Sequence, residues 1–168
     1  MSNQKRGKLN LELTNQCNFN CIYCPGCISK RGKEFIDYFL AKKVIHQVAK
    51  TNLFSDISFS SLGDPLLHPQ ILEIIKEAKQ KDFTTFLATN GSLLNKNLIL
   101  KLINTGLDFL VIGINAGSER EFQLRRSNLK FDDYLMNIVK IVQYCAGHSH
   151  IQVILSYITT KGIKIMSP

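Results

Sequence analysis

Nowhere does the sequence run for the eighteen or so uncharged apolar residues that a membrane-spanning helix needs. The opening stretch MSNQKRGKLNLELT also lacks the apolar centre of a secretory leader. Lys5, Arg6 and Lys8 cluster near the start, but no block of one charge sign is long enough for a nucleic-acid-binding arm. Lys plus Arg exceed Asp plus Glu by 21 to 13, and this excess reads first as solubility, so nucleic acid is not expected as a partner. Low-complexity tracts are missing as well. So is the even, dispersed cysteine set that staples small secreted domains: there are five cysteines, and four of them lie between positions 17 and 27. The expectation is a cytoplasmic chain, away from membranes, with reduced thiols gathered for metal.

What is present suits a globular fold. Hydrophobic residues make up 45% and charged residues 20% of the chain, enough apolar material for a core, and the length suits one domain over residues 1–168. In residues 8–14, Leu9, Leu11 and Leu13 alternate with polar neighbours, which predicts a strand. Residues 34–50 predict a helix whose buried stripe is Ile36, Leu40, Val44 and Val48, with Phe39 beside it. Further strands are expected over residues 56–60, 83–88, 108–115 and 151–159. Helices are expected between them: one opening near Pro69, one capped by Asn95 and ended by Gly106, and one beginning at Asp132 or Asp133 with Cys145 on its apolar stripe. Strict alternation of strand and helix implies an α/β fold with a parallel sheet, doubly wound or a β/α barrel, whose carboxyl edge receives ligands.

Cys17, Cys21 and Cys24 follow the first strand directly, so three thiols sit on a short loop at that edge. Structural zinc usually takes two ligand pairs separated by a dozen or more residues, and a ferredoxin run has a different order of intervals, so neither matches well. Soft thiolates select iron–sulfur chemistry, and a set of three leaves one metal position open. Cys27 could be a fourth ligand that closes such a cluster, whereas Cys145 reads as a buried core thiol.

The spacing of three residues and then two, with Tyr23 before the last cysteine, resembles that of the radical S-adenosylmethionine superfamily. The resemblance implies a [4Fe-4S] cluster held by Cys17, Cys21 and Cys24, with the open iron chelated by S-adenosylmethionine. It further implies reductive cleavage to a 5′-deoxyadenosyl radical that abstracts hydrogen from a substrate. Three later segments resemble the family's cofactor-binding motifs. Ser61-Leu62-Gly63-Asp64-Pro65 is similar to its glycine–glutamate–proline segment, with Asp64 in place of the glutamate. Ala88-Thr89-Asn90-Gly91 and the strand end at Asn115, followed by Arg125 and Arg126, match in order. By this resemblance the cofactor-binding residues are Tyr23, Gly63, Asp64, Pro65, Thr89, Asn90, Asn115 and Arg125. The partners are an electron donor such as flavodoxin or ferredoxin and a peptide or small-molecule substrate.

The resemblance runs over about residues 8–160 and leans toward the branch that modifies peptides or small molecules. Family barrels have six β/α units and five strands are legible here, so a partial barrel is expected. Its last strand should self-associate or pair with a partner chain. A chain that binds iron and sulfur without turnover is the alternative to an enzyme.

Overall fold

The computed structural model describes residues 7–125, 127–148 and 150–158. Lys5, Arg6, Arg126, Thr159 and residues 162–168 therefore lie outside the described residues. Five strands form one sheet: β1 (Gly7–Asn10), β2 (Phe54–Phe59), β3 (Thr84–Thr89), β4 (Phe109–Gly113) and β5 (Gln152–Ser156). They lie side by side in chain order, and every neighbouring pair is parallel. That order separates two architectures. A doubly wound sheet reverses direction at a switch point, whereas a β/α barrel adds each strand to the same side. The fold is the second kind, an α/β partial barrel whose two edge strands each have one neighbour among the described residues.

Between the strands run α1 (Tyr38–Ala49), α2 (Ile71–Lys79), α3 (Lys96–Ile103), the single-turn α4 (Glu119–Gln123) and α5 (Phe131–Ala146). Side-chain oxygens of Asp37, Asn95 and Ser118 accept from the backbone N–H three residues on, satisfying otherwise orphaned donors at three helix starts. Gly106 has φ of 80°, the left-handed geometry expected after α3. One face of the sheet, with Ile57, Phe59, Leu87, Leu110 and Ile112, forms the core with Ile45, Ile74, Ile75, Ile99 and Ile138 from the helices. Cys145 is buried in that core. On the sheet, Phe86 and Phe109 stack at 4.4 Å, with the Lys8 ammonium 3.4 Å from the Phe86 ring centre.

Several expectations need correction. The stripe expected on the first helix is met in part: Val44 and Val48 pack half-buried against the core, and Ile36 does so just before the helix, whereas Leu40 is exposed, Phe39 is 74% exposed, and Ala41 and Ile45 are the fully buried positions. Four-residue steps advance about 40° beyond a full turn each, so a strict stripe of that spacing winds around the helix and cannot stay on one face. Pro69 does not open α2, which starts at Ile71 with Gln70 as its cap residue. Lys130 occupies the cap position of α5, so Asp132 and Asp133 fall in its first turn, where their charge suits the helix dipole. The first strand ends at Asn10, although Leu11 N still donates to Ser58 O at 2.9 Å; Thr14 then makes a lone antiparallel bridge to Phe35. Helix α4 was not foreseen, being too short to show a period.

At the amino edge, Asp108 accepts from Thr85 N (2.8 Å), Thr85 Oγ1 (2.7 Å) and Lys79 Nζ (2.7 Å). Partial burial pushes this carboxyl upward, but the Lys79 ammonium and the two Thr85 donors outweigh it and hold it below the usual aspartate range.

Candidate functional site

The chain leaving β1 crosses the carboxyl edge as a loop carrying the cysteines. Asn15 ties its two ends together: its Nδ2 donates to Gly32 O (2.6 Å) and its Oδ1 accepts from Glu34 N (2.9 Å). Lys33 Nζ donates to Asn15 O (3.0 Å) and Gly26 O (3.2 Å). Further along, Asn20 N donates to Arg125 O (3.2 Å) and Ile22 N to Leu124 O (2.9 Å), stitching the loop to the chain after α4. Cys24 N donates to Cys21 O and Cys27 N to Cys24 O, so the last three cysteines follow one another on tight turns.

All five cysteines are free thiols. Cys17, Cys21 and Cys24 border one cavity of about 380 Å³, whereas Cys27 is not among its lining residues. Cys17 and Cys27 are both exposed residues, although the Cys17 sulfur sits beside Phe19 N and Asn90. Phe19 N (3.5 Å) and Asn90 Nδ2 (3.7 Å) donate to Cys17 Sγ. Burial pushes the Cys17 thiol up, and the Phe19 N–H partly opposes that. The cavity also receives Tyr23, Gly63, Asp64, Thr89, Asn90, Asn115 and Arg125. Seven of the eight expected cofactor residues are thus brought together from three strand ends, the cysteine loop and the chain after α4. Pro65 is not among the lining; it opens a buried 3-10 turn over Pro65–Leu67. Phe19, Pro25, Val111, Gly113, Ser156 and Ile158 also line it and were not assigned to the site from the sequence, while Ser61, Leu62 and Ala88 belong to the quoted motif segments. For the unassigned six, positions within the cysteine loop or in and just beyond the strands carried the only signal.

The geometry changes what two of these residues do. Asp64 is 2% exposed, and its carboxylate accepts from Leu66 N (3.0 Å), Thr89 Oγ1 (2.8 Å) and Asn90 N (2.8 Å). It is therefore saturated by protein donors and joins the end of β2 to the end of β3. Burial pushes this carboxyl up, against those donors and the more distant Arg125 guanidinium. At Gly63, a Cβ would sit far inside van der Waals contact of the Thr14 and Gln16 carbonyl oxygens. The close approach that demands glycine is thus to the cysteine loop itself, where Asp64 N donates to Gln16 O at 2.8 Å.

Arg125 is 1% exposed, so its charged side chain is enclosed by protein. Its Nη1 donates to Ile114 O (2.5 Å) and its Nη2 reaches Asn90 O (3.4 Å). Its guanidinium carbon lies 4.6 Å, 5.1 Å and 5.3 Å from the ring centres of Phe19, Tyr134 and Phe122. Arg125 Nε and the hydroxyl of Tyr23 are buried polar atoms without a hydrogen-bond partner. Burial, and then the neighbouring Cys21, push the Tyr23 phenol up, so it stays a neutral donor. Asn115 adopts left-handed backbone geometry (φ 48°), tolerated by asparagine, and its Oδ1 accepts from Ile158 N at 3.0 Å.

A [4Fe-4S] group fits this donor set. The described His, Cys, Asp and Glu side chains form no group of three close enough for a single metal ion. The cavity instead offers three free soft thiols, N–H donors on Cys17, and an orphaned phenol with room beside it. No described helix is long and apolar enough to cross a membrane.

Comparison with known proteins agrees. The model of the radical SAM superfamily matches residues 11–161. The chain is 28% identical over 108 residues to the tungsten-containing aldehyde ferredoxin oxidoreductase cofactor-modifying protein of Pyrococcus furiosus, covering 64% of this chain and 30% of that one. It is 34% identical over 117 residues to a probable GTP 3′,8-cyclase of Saccharolobus islandicus, covering 68% of this chain and 37% of the relative. Among solved structures, BtrN in complex with AdoMet and 2-DOIA superposes with a TM-score of 0.64 at 21% identity, over 92% of this chain and 58% of BtrN. Methylornithine synthase does so with a TM-score of 0.69 at 13% identity, over 94% of this chain and 46% of the synthase. The chain thus spans roughly a third of the length of the two curated relatives.

Proposed function

Because the chain belongs to the radical SAM superfamily, we propose that it binds a [4Fe-4S] cluster through Cys17, Cys21 and Cys24 and cleaves S-adenosylmethionine reductively. When bound, such a cluster supplies one electron that splits S-adenosylmethionine into methionine and a 5′-deoxyadenosyl radical, which takes a hydrogen atom from substrate. The observation that carries the reading is the convergence of exactly those three free cysteines and four strand ends on one cavity, with Cys27 left outside its lining.

The chain's own residues hold and orient. Asn90 Nδ2 and Phe19 N donate to Cys17 Sγ, stabilising the thiolate. The unpartnered Tyr23 hydroxyl is the donor available to a ligand beside Cys21. Asp64 acts indirectly, fixing Thr89 and Asn90 at the rim. Leu62, Val111 and Ile158 give the cavity an apolar part of its wall. The substrate is a peptide or small molecule, the electron donor a flavodoxin or ferredoxin, and the cytoplasm the compartment. On the outer strand β5, exposed Ile154 and Leu155 offer an apolar edge to a further unit or a partner chain.

The test is anaerobic reconstitution with iron and sulfide, reduction with dithionite and addition of S-adenosylmethionine. Release of 5′-deoxyadenosine together with methionine is the expected result. A protein that takes up about one cluster yet releases neither product supports instead an iron–sulfur module without turnover, and a protein that takes up no iron overturns both readings.

A further inference from the structure

A guanidinium that is 1% exposed is costly to bury unless negative charge lies nearby. Among the described residues no carboxylate lies within ion-pair distance of Arg125. Asp64, the carboxylate whose field reaches it, is saturated by Leu66, Thr89 and Asn90. What surrounds the cation is two carbonyl oxygens, from Ile114 and Asn90, and the faces of Phe19, Phe122 and Tyr134. Phe19 belongs to the cysteine loop, and the backbone carbonyl of Arg125 accepts from Asn20 in the same loop. Arg125 also lines the cavity that the three cysteines border. One side chain therefore touches the ends of β3 and β4 and the segment between Cys17 and Cys21. Its charge lacks a carboxylate partner among the described residues, in a place where three free cysteines converge.

We infer that Arg125 is a positioning residue that clamps the cysteine loop to the ends of β3 and β4 and supplies the buried counter-charge for the thiolate-held group. The inference rests on the cluster reading above. Three thiolates outweigh the charge of an oxidised four-iron cluster, and reduction adds one more negative charge. A fixed cation beside it favours the reduced form and raises the potential. The carbonyl oxygens and rings hold the guanidinium flat and keep it from turning toward solvent.

Two variants separate clamp from charge, read on reconstituted protein by redox titration followed by electron paramagnetic resonance, and by iron release to a chelator. Arg125→Met removes both roles: its potential should move to a more negative value and its iron should leave roughly 10-fold faster than from the wild type. Arg125→Lys keeps the charge, but a single ammonium cannot bridge both carbonyls. It should hold a potential near the wild type while still losing iron faster. A folded Met variant with wild-type potential overturns the counter-charge, as does a Lys variant sharing the Met variant's shift. Should the Met variant fail to fold, judged by thermal melting before reconstitution, the Lys variant decides: wild-type iron release there overturns the clamp. A wild-type chain that takes up no iron sinks the cluster reading and this inference together, and so is distinguished from failure of the variants alone.

Discussion

Asp64 and Asp108 stand at opposite edges of the same sheet and grip the same strand in the same manner. Asp108 takes the N–H and hydroxyl of Thr85, where β3 begins; Asp64 takes the hydroxyl of Thr89 and the N–H of Asn90, where β3 ends. They differ in a cation. Lys79 completes the Asp108 clamp at 2.7 Å and its carboxyl is held down, whereas Asp64 has no such partner, is more deeply buried and is pushed up. Around Asp108 each charge has its mate. Among the described residues around Asp64, the cation Arg125 lacks a carboxylate, the Tyr23 hydroxyl lacks a hydrogen-bond partner, and three thiols stand free. The amino edge is finished as protein, whereas the carboxyl edge leaves polar groups and thiols without protein partners among the described residues. This is the division of labour that places chemistry at the carboxyl end of parallel strands and stability at the other.

The largest effect that sharpens the contrast belongs to the cysteines. Cys21→Ala should abolish retention of a full iron load after anaerobic reconstitution while leaving the melting temperature of the iron-free protein unchanged, because a half-buried thiol at a ligand-binding edge contributes little packing. Cys27→Ala should leave the iron load intact. Iron analysis and the visible absorption of the loaded proteins check both. A full load on the Cys21 variant, or its loss from the Cys27 variant, would break the assignment.

Next in size is Gly63→Ala. The added Cβ meets the carbonyl oxygens of Thr14 and Gln16, which are backbone and cannot swing aside, so the variant should lose about 3 kcal/mol of stability in urea unfolding. The loss should appear in the iron-free protein. A variant with wild-type stability whose only defect is weak cofactor binding would return Gly63 to the direct role the sequence suggested.

Gly63 also shows where sequence reading stops. That a glycine follows the second strand was legible, and so was the reason a glycine is used there, a close backbone approach. The partner was not, since Thr14 belongs to another loop and only the folded chain brings the two together. The same holds for Asp64, whose hydroxyl partner lies 25 residues away. The alternation of strands and helices, the Asn95 cap, Gly106 and the three cysteines were legible because each depends on neighbours in sequence. On α1 Val44 and Val48 pack against the core as their spacing suggested, but Leu40 turns outward because a four-residue spacing drifts around a helix, while Ala41, the better marker of close packing, carries little hydrophobic weight. Arg125 was named from the resemblance alone, and its enclosure was not legible because nothing local announces Phe19, Phe122 and Tyr134 around it.

Asp64→Asn should cost about 2 kcal/mol at neutral pH, since an amide cannot accept from both β3 donors as a carboxylate does. The pH dependence carries the distinction. A folded carboxyl pKa above the ordinary value of about 3.9 means that Asp64's contribution is fullest below that value and is lost as pH rises through the folded pKa. The stability gap between wild type and this variant should therefore widen as the solution is taken from pH 7 toward pH 4. A gap that narrows over that range would mean that the donors win over burial and that the two clamps are alike.

Asp108→Asn is the smallest effect and the one of opposite sign. Its carboxyl is partly open to solvent, so its ion pair with Lys79 is screened, and the substitution should cost only about 1 kcal/mol at pH 7. Lys79 and Thr85 hold the folded pKa below the ordinary value, so Asp108's contribution is present above about pH 3.9 and disappears as pH falls through the folded value. Between pH 7 and pH 4 the gap between wild type and this variant should stay nearly constant, and below pH 4 it should close. Added salt should shrink it further at pH 7, because the pair is partly open to solvent, while leaving the Asp64 gap unchanged. Urea unfolding of the iron-free wild type and both variants at pH 7, 4 and 3, with low and high salt, tests the pair. If the Asp108 gap widened on acidification alongside that of Asp64, then Lys79 would not be what separates the two edges, and the contrast between a finished and an unfinished end of β3 would have to rest on the cysteine loop alone.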